Sequence, residues 1–184
     1  SNHNDILTRT HLSGLMEIEQ VLPSTSPAMD IQVSSNFERL LFDLSNREAE
    51  WLRTAMQDFR GNGQLRLGES LITRLRNVFD AGRASELEVE ETIADVHSAT
   101  GQLIDPHTAV AVSVARRLEA GSSPMAIMST AHPAKFGDVV EDATGVAPTQ
   151  PKEIKDLYGR TESCTDLPNE LNAIMEFVSS AING

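Results

Sequence analysis

The chain has 184 residues, 40% of them hydrophobic, and a formal net charge of −12. That length and apolar content suit a single core, while the acidic balance, spread along the chain, repels nucleic-acid phosphates and anionic membrane surfaces. Cys164 is the only cysteine, which excludes an internal disulfide and a cysteine-based zinc site and makes a reducing cytoplasm the expected compartment.

No apolar run reaches the roughly 18 residues that a membrane helix needs, and no signal segment opens the chain. It begins Ser1-Asn2 without a methionine, as a processed chain or a piece of a longer polypeptide would. Asp5 to Leu12 reads as a short helix closed by Gly14, and Glu17 to Leu22 as a strand candidate. Pro23 to Asp30 is a loop by its prolines and small polar residues. Its hydroxyls either face a ligand or belong to an ordinary surface connection.

Ser35 opens the next helix. Ser35 and Glu38 have capping-box spacing, and Phe37, Leu40, Leu41 and Leu44 recur at helical intervals to give one buried face. Asn36 and Arg39 lie off that face, near an N-terminus whose free N–H groups favour an anion. A second helix, from about Arg47 to a stop at Gly61, carries the stripe Trp51, Leu52, Ala55, Met56 and Phe59. Gln64 to Leu67 is a short strand or an extended link. Leu71, Ile72, Leu75, Val78 and Phe79 mark a third helix. Ser85 and Glu88 repeat the capping-box spacing, and Val89, Ile93 and Val96 carry a fourth helix to Gly101. Residues 46–100 therefore read as a helical scaffold or insertion.

Residues 101–145 read as an α/β core unit. Leu103 and Ile104 form a short apolar element, Asp105 caps, Pro106 takes the first helical position, and the following helix is apolar nearly all round, hence buried. It leads through Gly121 to Pro124–Phe136, PMAIMSTAHPAKF. Met125 to Met128 are apolar without alternation, the pattern of a strand buried on both faces in a parallel sheet. Ser129, Thr130 and His132 end it, and Pro133 opens a helix. In open α/β sheets ligands sit beyond such strand ends. Residues 150–184 read as C-terminal helices: Pro151 to Tyr158 gives one or two turns, and Leu167, Leu171, Ile174, Met175 and Val178 mark a terminal helix ending near Gly184.

Five histidines, His3, His11, His97, His107 and His132, share no ligand spacing that predicts a metal. His107 and His132 stand at helix starts, where an imidazole caps or packs. No nucleophile elbow, dinucleotide fingerprint or P-loop is present. Thr130, at the strand end, can donate to a heteroaromatic nitrogen or a phosphate. Lys135, in the first turn of its helix, opposes the dipole there, so it either snorkels to solvent or meets an anion; the physics alone favours solvent.

Five segments stand in one order: Asn2-His-Asn4-Asp5-Ile-Leu, Ser26-Pro-Ala-Met29-Asp30-Ile, Ser34-Ser-Asn36-Phe-Glu-Arg39-Leu-Leu, Asp105-Pro-His107-Thr-Ala-Val and Ser129-Thr130-Ala-His132-Pro-Ala-Lys135-Phe136. Together they closely resemble the threonine synthase family, in its longer bacterial and fungal type, and all of 1–184 resembles a single C-terminal portion of it. The resemblance implies a helix-rich α/β fold with few, mainly parallel strands. That is the fold type II of pyridoxal-phosphate enzymes, similar to the tryptophan synthase β subunit. It implies conversion of O-phospho-L-homoserine and water to L-threonine and phosphate, with pyridoxal 5′-phosphate as electron sink.

By motif, Thr130 is the expected partner of the cofactor's pyridine nitrogen, and Asn4, Asp5, Asn36 and Arg39 are substrate-binding candidates, some of which are expected to line the phosphohomoserine site. Asp5 and Arg39 are equally readable as caps or ion-pair partners within the fold. The family's Schiff-base lysine and phosphate-binding glycine-rich loop have no counterpart. Only Lys135, Lys152 and Lys155 are available, and none stands in that motif. The expectation is therefore no catalytic lysine in this chain, no cofactor held by it alone, no activity by itself, and the N-terminal part of the same enzyme as its partner. Two alternatives stand beside this: a threonine synthase-like phospholyase, and a non-catalytic interaction or regulatory domain.

Overall fold

The structure, a computed structural model, describes residues 1–118, 124–155 and 157–183. It divides into two compact units, Ser1–Thr149 and Gln150–Gly184. The first unit begins with α1 (Ile6–Ser13), which ends where Gly14 turns left-handed at φ 74° and donates its N–H to Thr10 O. That turn feeds β1 (Leu15–Glu17) into an antiparallel pair with β2 (Gln64–Arg66), Leu15 opposite Arg66 and Glu17 opposite Gln64. The strand thus lies two residues earlier than Glu17 to Leu22, because pairing with β2 sinks Met16 completely, whereas Ile18, Val21 and Leu22 stay exposed.

Between the two strands stand α2 (Phe37–Leu44) and α3 (Ala49–Asn62). The capping box expected at Ser35 does not form. Phe37 N–H donates instead to Ser34 O at 3.1 Å, and the Glu38 carboxylate is taken by Arg60 of α3 at 2.9 Å. Asn46 and Arg47, at φ 60° and 63°, occupy the left-handed region, so the second helix cannot begin at Arg47. Its end falls at Gly63 rather than Gly61, since Gly63 takes the φ of 71° that closes the last turn.

After α4 (Glu69–Val78) comes α5 (Glu86–Thr100), whose Ser85–Glu88 capping box is complete in both directions. The helix α6 (Pro106–Arg117) starts on the Asp105 cap, Oδ1 accepting from His107 N–H at 2.9 Å. Pro133–Phe136 forms a 3-10 turn leading into α7 (Gly137–Thr144).

These elements bury two apolar clusters instead of the single core expected from chain length. One joins Ile6, Met16, Leu41, Met56, Phe59, Ile72 and Leu75; the other joins Ala84, just ahead of α5, to Val89, Ile93, Ala109, Val110 and Val140 of α5, α6 and α7. Polar links stitch the first unit together: Asp5 Oδ2 accepts from Arg83 at 3.1 Å, Glu86 from Thr25 N–H at 2.8 Å, and His107 from Ala28 N–H at 3.3 Å.

Met125 to Met128 correct the sequence reading. They form no strand, and Met125, Ile127 and Met128 are 47%, 38% and 76% exposed. A strand needs a neighbour with free ladder groups. The only strands among the described residues, β1 and β2, are already paired with each other and run antiparallel. Leu103 and Ile104 likewise form no strand. Gly121 lies outside the described residues.

In the second unit, two 3-10 turns, Lys152–Ile154 and Leu157–Gly159, precede α8 (Leu171–Asn183). Leu167 precedes the helix rather than joining it, and Gly184 lies outside the described residues.

Candidate functional site

The N-terminal candidates are built on a polar knot. Asn2, completely buried, donates through Nδ2 to Ser26 Oγ at 3.0 Å and Asp30 Oδ1 at 2.8 Å. Asn4, also buried, donates to Asp30 Oδ1 at 2.9 Å and Leu22 O at 2.8 Å, and accepts Leu22 N–H at 2.8 Å. Both asparagine amides therefore point into the fold and hold the Pro23–Asp30 loop against the chain start. Burial raises the Asp30 pKa, but the Ser24 hydroxyl, Asn2, the Ser24 amide and nearby His3 outweigh it. The carboxyl ends below its ordinary value, charged at the centre of the knot.

Asp5 is buried between two arginines, its Oδ1 2.9 Å from Arg9 Nε and its Oδ2 3.1 Å from Arg83 Nη1. Arg9 in turn reaches Glu19 at 3.0 Å and Gln32 at 3.3 Å. Asp5 is thus an internal anchor. Asn36 and Arg39 differ: both are exposed at the start of α2, joined by a 2.9 Å hydrogen bond from Arg39 Nη2 to Asn36 Oδ1. Arg39 forms no ion pair among the described residues, so most of its five donors are available to an anion.

Thr130 lies in the exposed irregular stretch that ends at the Pro133 turn. Next to it, Ser129 Oγ is 3.4 Å from Thr108 Oγ1, whose hydroxyl also bonds Asp105. Asp105 Oδ1 accepts from His107 Nδ1 at 2.9 Å. Thr130 itself makes no hydrogen bond among the described residues, so its hydroxyl is available as a donor. His132 caps its turn by accepting Ala134 N–H at 3.1 Å, and Lys135 is exposed, its ammonium 5.6 Å from the Phe136 ring centroid.

A continuous path of polar contacts therefore runs from Asn4 through Asp30, the Ala28 turn, His107, Asp105 and Thr108 to Ser129. No contact in that path includes Asn36 or Arg39. Among the described residues no three His, Cys, Asp or Glu side chains are placed to hold a metal ion, and no helix is long and apolar enough to cross a membrane.

The family model described as "Threonine synthase, C-terminal" matches residues 108–178. Over 97% of this chain, threonine synthase of Pseudomonas aeruginosa is 44% identical, and that of Corynebacterium glutamicum is 34% identical over 99%. The structure matches the pyridoxal-phosphate-bound threonine synthase of Brucella melitensis at a TM-score of 0.86, with 46% identity over 98% of this chain. Yeast threonine synthase matches at 0.79, with 34% identity over 99%. The chain belongs to the threonine synthase family. It corresponds to a C-terminal part and spans about 39% of the length of the first two relatives, and 39% and 40% of the two solved chains. The helix-rich architecture is accordingly that of a threonine synthase, a fold type II enzyme.

Threonine synthase membership places the Asn2–Asp30 knot and the Asp105–Ser129 path in a chain whose solved neighbour carries pyridoxal phosphate. Sequence reasoning missed the knot's inward direction and the His107 relay. The only sequence signals for them were the Asn2-x-Asn4 spacing and the hydroxyls of Ser24 and Ser26, which the loop composition assigned to a surface connection in preference to a ligand.

Proposed function

We propose that this chain is the C-terminal part of an enzyme that converts O-phospho-L-homoserine and water to L-threonine and phosphate with pyridoxal 5′-phosphate. The observation carrying the proposal is the free hydroxyl of Thr130, exposed at the end of an irregular stretch in a chain similar throughout to a cofactor-bound threonine synthase. A single uncommitted donor fits one edge of a heteroaromatic ring. When bound, the cofactor supplies the electron sink for elimination of phosphate and addition of water. Thr130 would hold the cofactor's pyridine nitrogen through a hydrogen bond donated by its hydroxyl. Because a hydroxyl, unlike a carboxylic acid, retains its own proton near neutral pH, it leaves that nitrogen unprotonated.

Asn36 and Arg39 make the direct contacts with the substrate's phosphate or carboxylate, the guanidinium fork supplying paired donors and the start of α2 a favourable field. Asn4 and Asp5 act from beneath: Asn4 fixes the loop through Asp30, and Asp5 fixes Arg9 and Arg83. Exposed Lys135, Lys152 and Lys155 stand outside the family's lysine motif, so the 184-residue chain by itself forms no threonine, and its partner is the N-terminal part of the same cytoplasmic enzyme.

The test uses the complete enzyme that carries this chain. With phosphohomoserine it should release threonine and phosphate in equal amounts. Thr130→Val should weaken pyridoxal-phosphate binding, and Arg39→Ala should raise KM or lower kcat/KM by about tenfold or more, the size of a lost charge-assisted contact. An unchanged KM and kcat in Arg39→Ala would remove it from the substrate site. A second reading, elimination of phosphate from a related phosphoamino acid, is supported by relatives named threonine synthase-like 1, 31% identical in mouse over 96% of this chain. Product analysis of the same assay separates the two.

A further inference from the structure

His107 is buried, yet it touches three separate stretches of chain. Its Nε2 accepts Ala28 N–H at 3.3 Å, in the turn next to Asp30. Its Nδ1 meets Asp105 Oδ1 at 2.9 Å. Its ring lies 4.8 Å from the Phe136 ring, tilted by 55°. These contacts define the tautomer. An N–H donor at Nε2 requires a lone pair there, so the single proton of the neutral imidazole sits on Nδ1, where Asp105 accepts it.

Asp105, completely buried, also accepts the Thr108 hydroxyl through Oδ2, and Thr108 Oγ1 lies 3.4 Å from Ser129 Oγ. Since the Thr108 proton goes to the carboxylate, the stronger acceptor, the Ser129 hydroxyl supplies the proton for the second link. The turn from Ser129 to Phe136 is therefore gripped at both ends, by Thr108 at Ser129 and by the imidazole at Phe136, with Thr130 between. A buried side-chain knot of this kind demands full satisfaction. It is an expensive way to pack the start of α6 unless the position of the turn matters.

We propose that His107, oriented by Asp105, is a positioning residue that sets where Thr130 stands relative to the Ala28–Asp30 loop, and so fixes the cofactor-facing wall of the site. The proposal rests on the reading of Thr130 as the partner of the pyridine nitrogen. His107 touches neither cofactor nor substrate; it acts through Ala28 and Phe136, and Asp105 acts through Thr108 and Ser129.

The test uses the complete enzyme with His107→Phe, which keeps a ring against Phe136 but loses both nitrogen contacts, and Thr108→Val, which cuts the link to Ser129 with little change in volume. Each is measured for pyridoxal-phosphate dissociation constant, absorbance of the bound cofactor, kcat, KM and melting temperature. Misplacing Thr130 should raise the cofactor dissociation constant and lower kcat about ten- to a hundredfold, while KM for phosphohomoserine stays within about twofold. If His107→Phe does not fold, Thr108→Val decides alone. A lower melting temperature with wild-type cofactor affinity, spectrum and kcat would reduce the knot to a stability device and overturn the proposal. Wild-type cofactor binding in Thr130→Val would overturn the functional reading, and this proposal with it. An effect of Thr130→Val without one from either relay variant overturns this proposal only.

Discussion

Asp30 shows how a residue that reads as part of a ligand loop becomes an internal hub. Its carboxylate gathers Asn2, Asn4 and Ser24, each within 3.0 Å, and its pKa lies below the ordinary value although burial opposes this. A depressed carboxylate stabilises the fold fully above its unfolded pKa of about 3.9, and this contribution is lost as pH falls below that through the folded value. Asp30→Asn should therefore be less stable than the wild type at pH 7, and the difference should shrink as the pH is lowered from about 5 to about 2. Urea midpoints across that range measure it. The sequence lists Asn2, Asn4 and Asp30 as polar groups near a chain start. Their shared direction depends on Ser24 and Ser26, some twenty residues on, which no local pattern encodes. Arg39 was legible because its neighbours on α2 define an apolar face that excludes it.

At the scale of elements, two identical capping-box spacings had different outcomes. At Ser85 the Glu88 carboxylate accepts the Ser85 amide at 2.7 Å and Glu88 N–H reaches Ser85 Oγ at 3.3 Å. The Ser85 amide, then its hydroxyl, then Arg117 hold the Glu88 carboxyl below its usual pKa. At Ser35 the corresponding glutamate is drawn to Arg60 on another helix, a tertiary competitor that spacing cannot reveal. Ser85→Ala should cost about 1 kcal/mol in denaturant unfolding, whereas Ser35→Ala should be close to neutral. Helices with an apolar stripe, α3, α4 and α5, were readable to within a few residues. Met125 to Met128 were readable as an element only in part. Their composition suits a strand, but a strand is a property of its neighbours, and none stands beside them among the described residues.

At the scale of the molecule, the chain carries an irregular stretch with Met125, Ile127 and Met128 exposed, and it spans about two-fifths of its relatives' length. Exposed apolar side chains grouped along one such stretch invite association. Sedimentation should show concentration-dependent oligomers of the isolated chain, and Ile127→Lys with Met128→Lys should shift it toward monomer; a monomer at all concentrations would contradict this. The family and helix-rich class were legible because five motifs keep their order over the whole chain. The division into two apolar clusters was not, because hydrophobic periodicity gives each helix a face and leaves open which helices share it. The pairing of Leu15 with Arg66 also bears on how the chain can fold. Pairing β1 with β2 joins Leu15 to Arg66, and packing α7 on α5 joins Val89 to Val140 across a span of the same length, so each cluster must close a long loop before it gains anything, and loop closure of that kind is slow. The cluster that seats Thr130's turn and the cluster behind Asn4 and Arg39 therefore each wait on one such closure, and neither wall of the proposed site is fixed by local contacts alone.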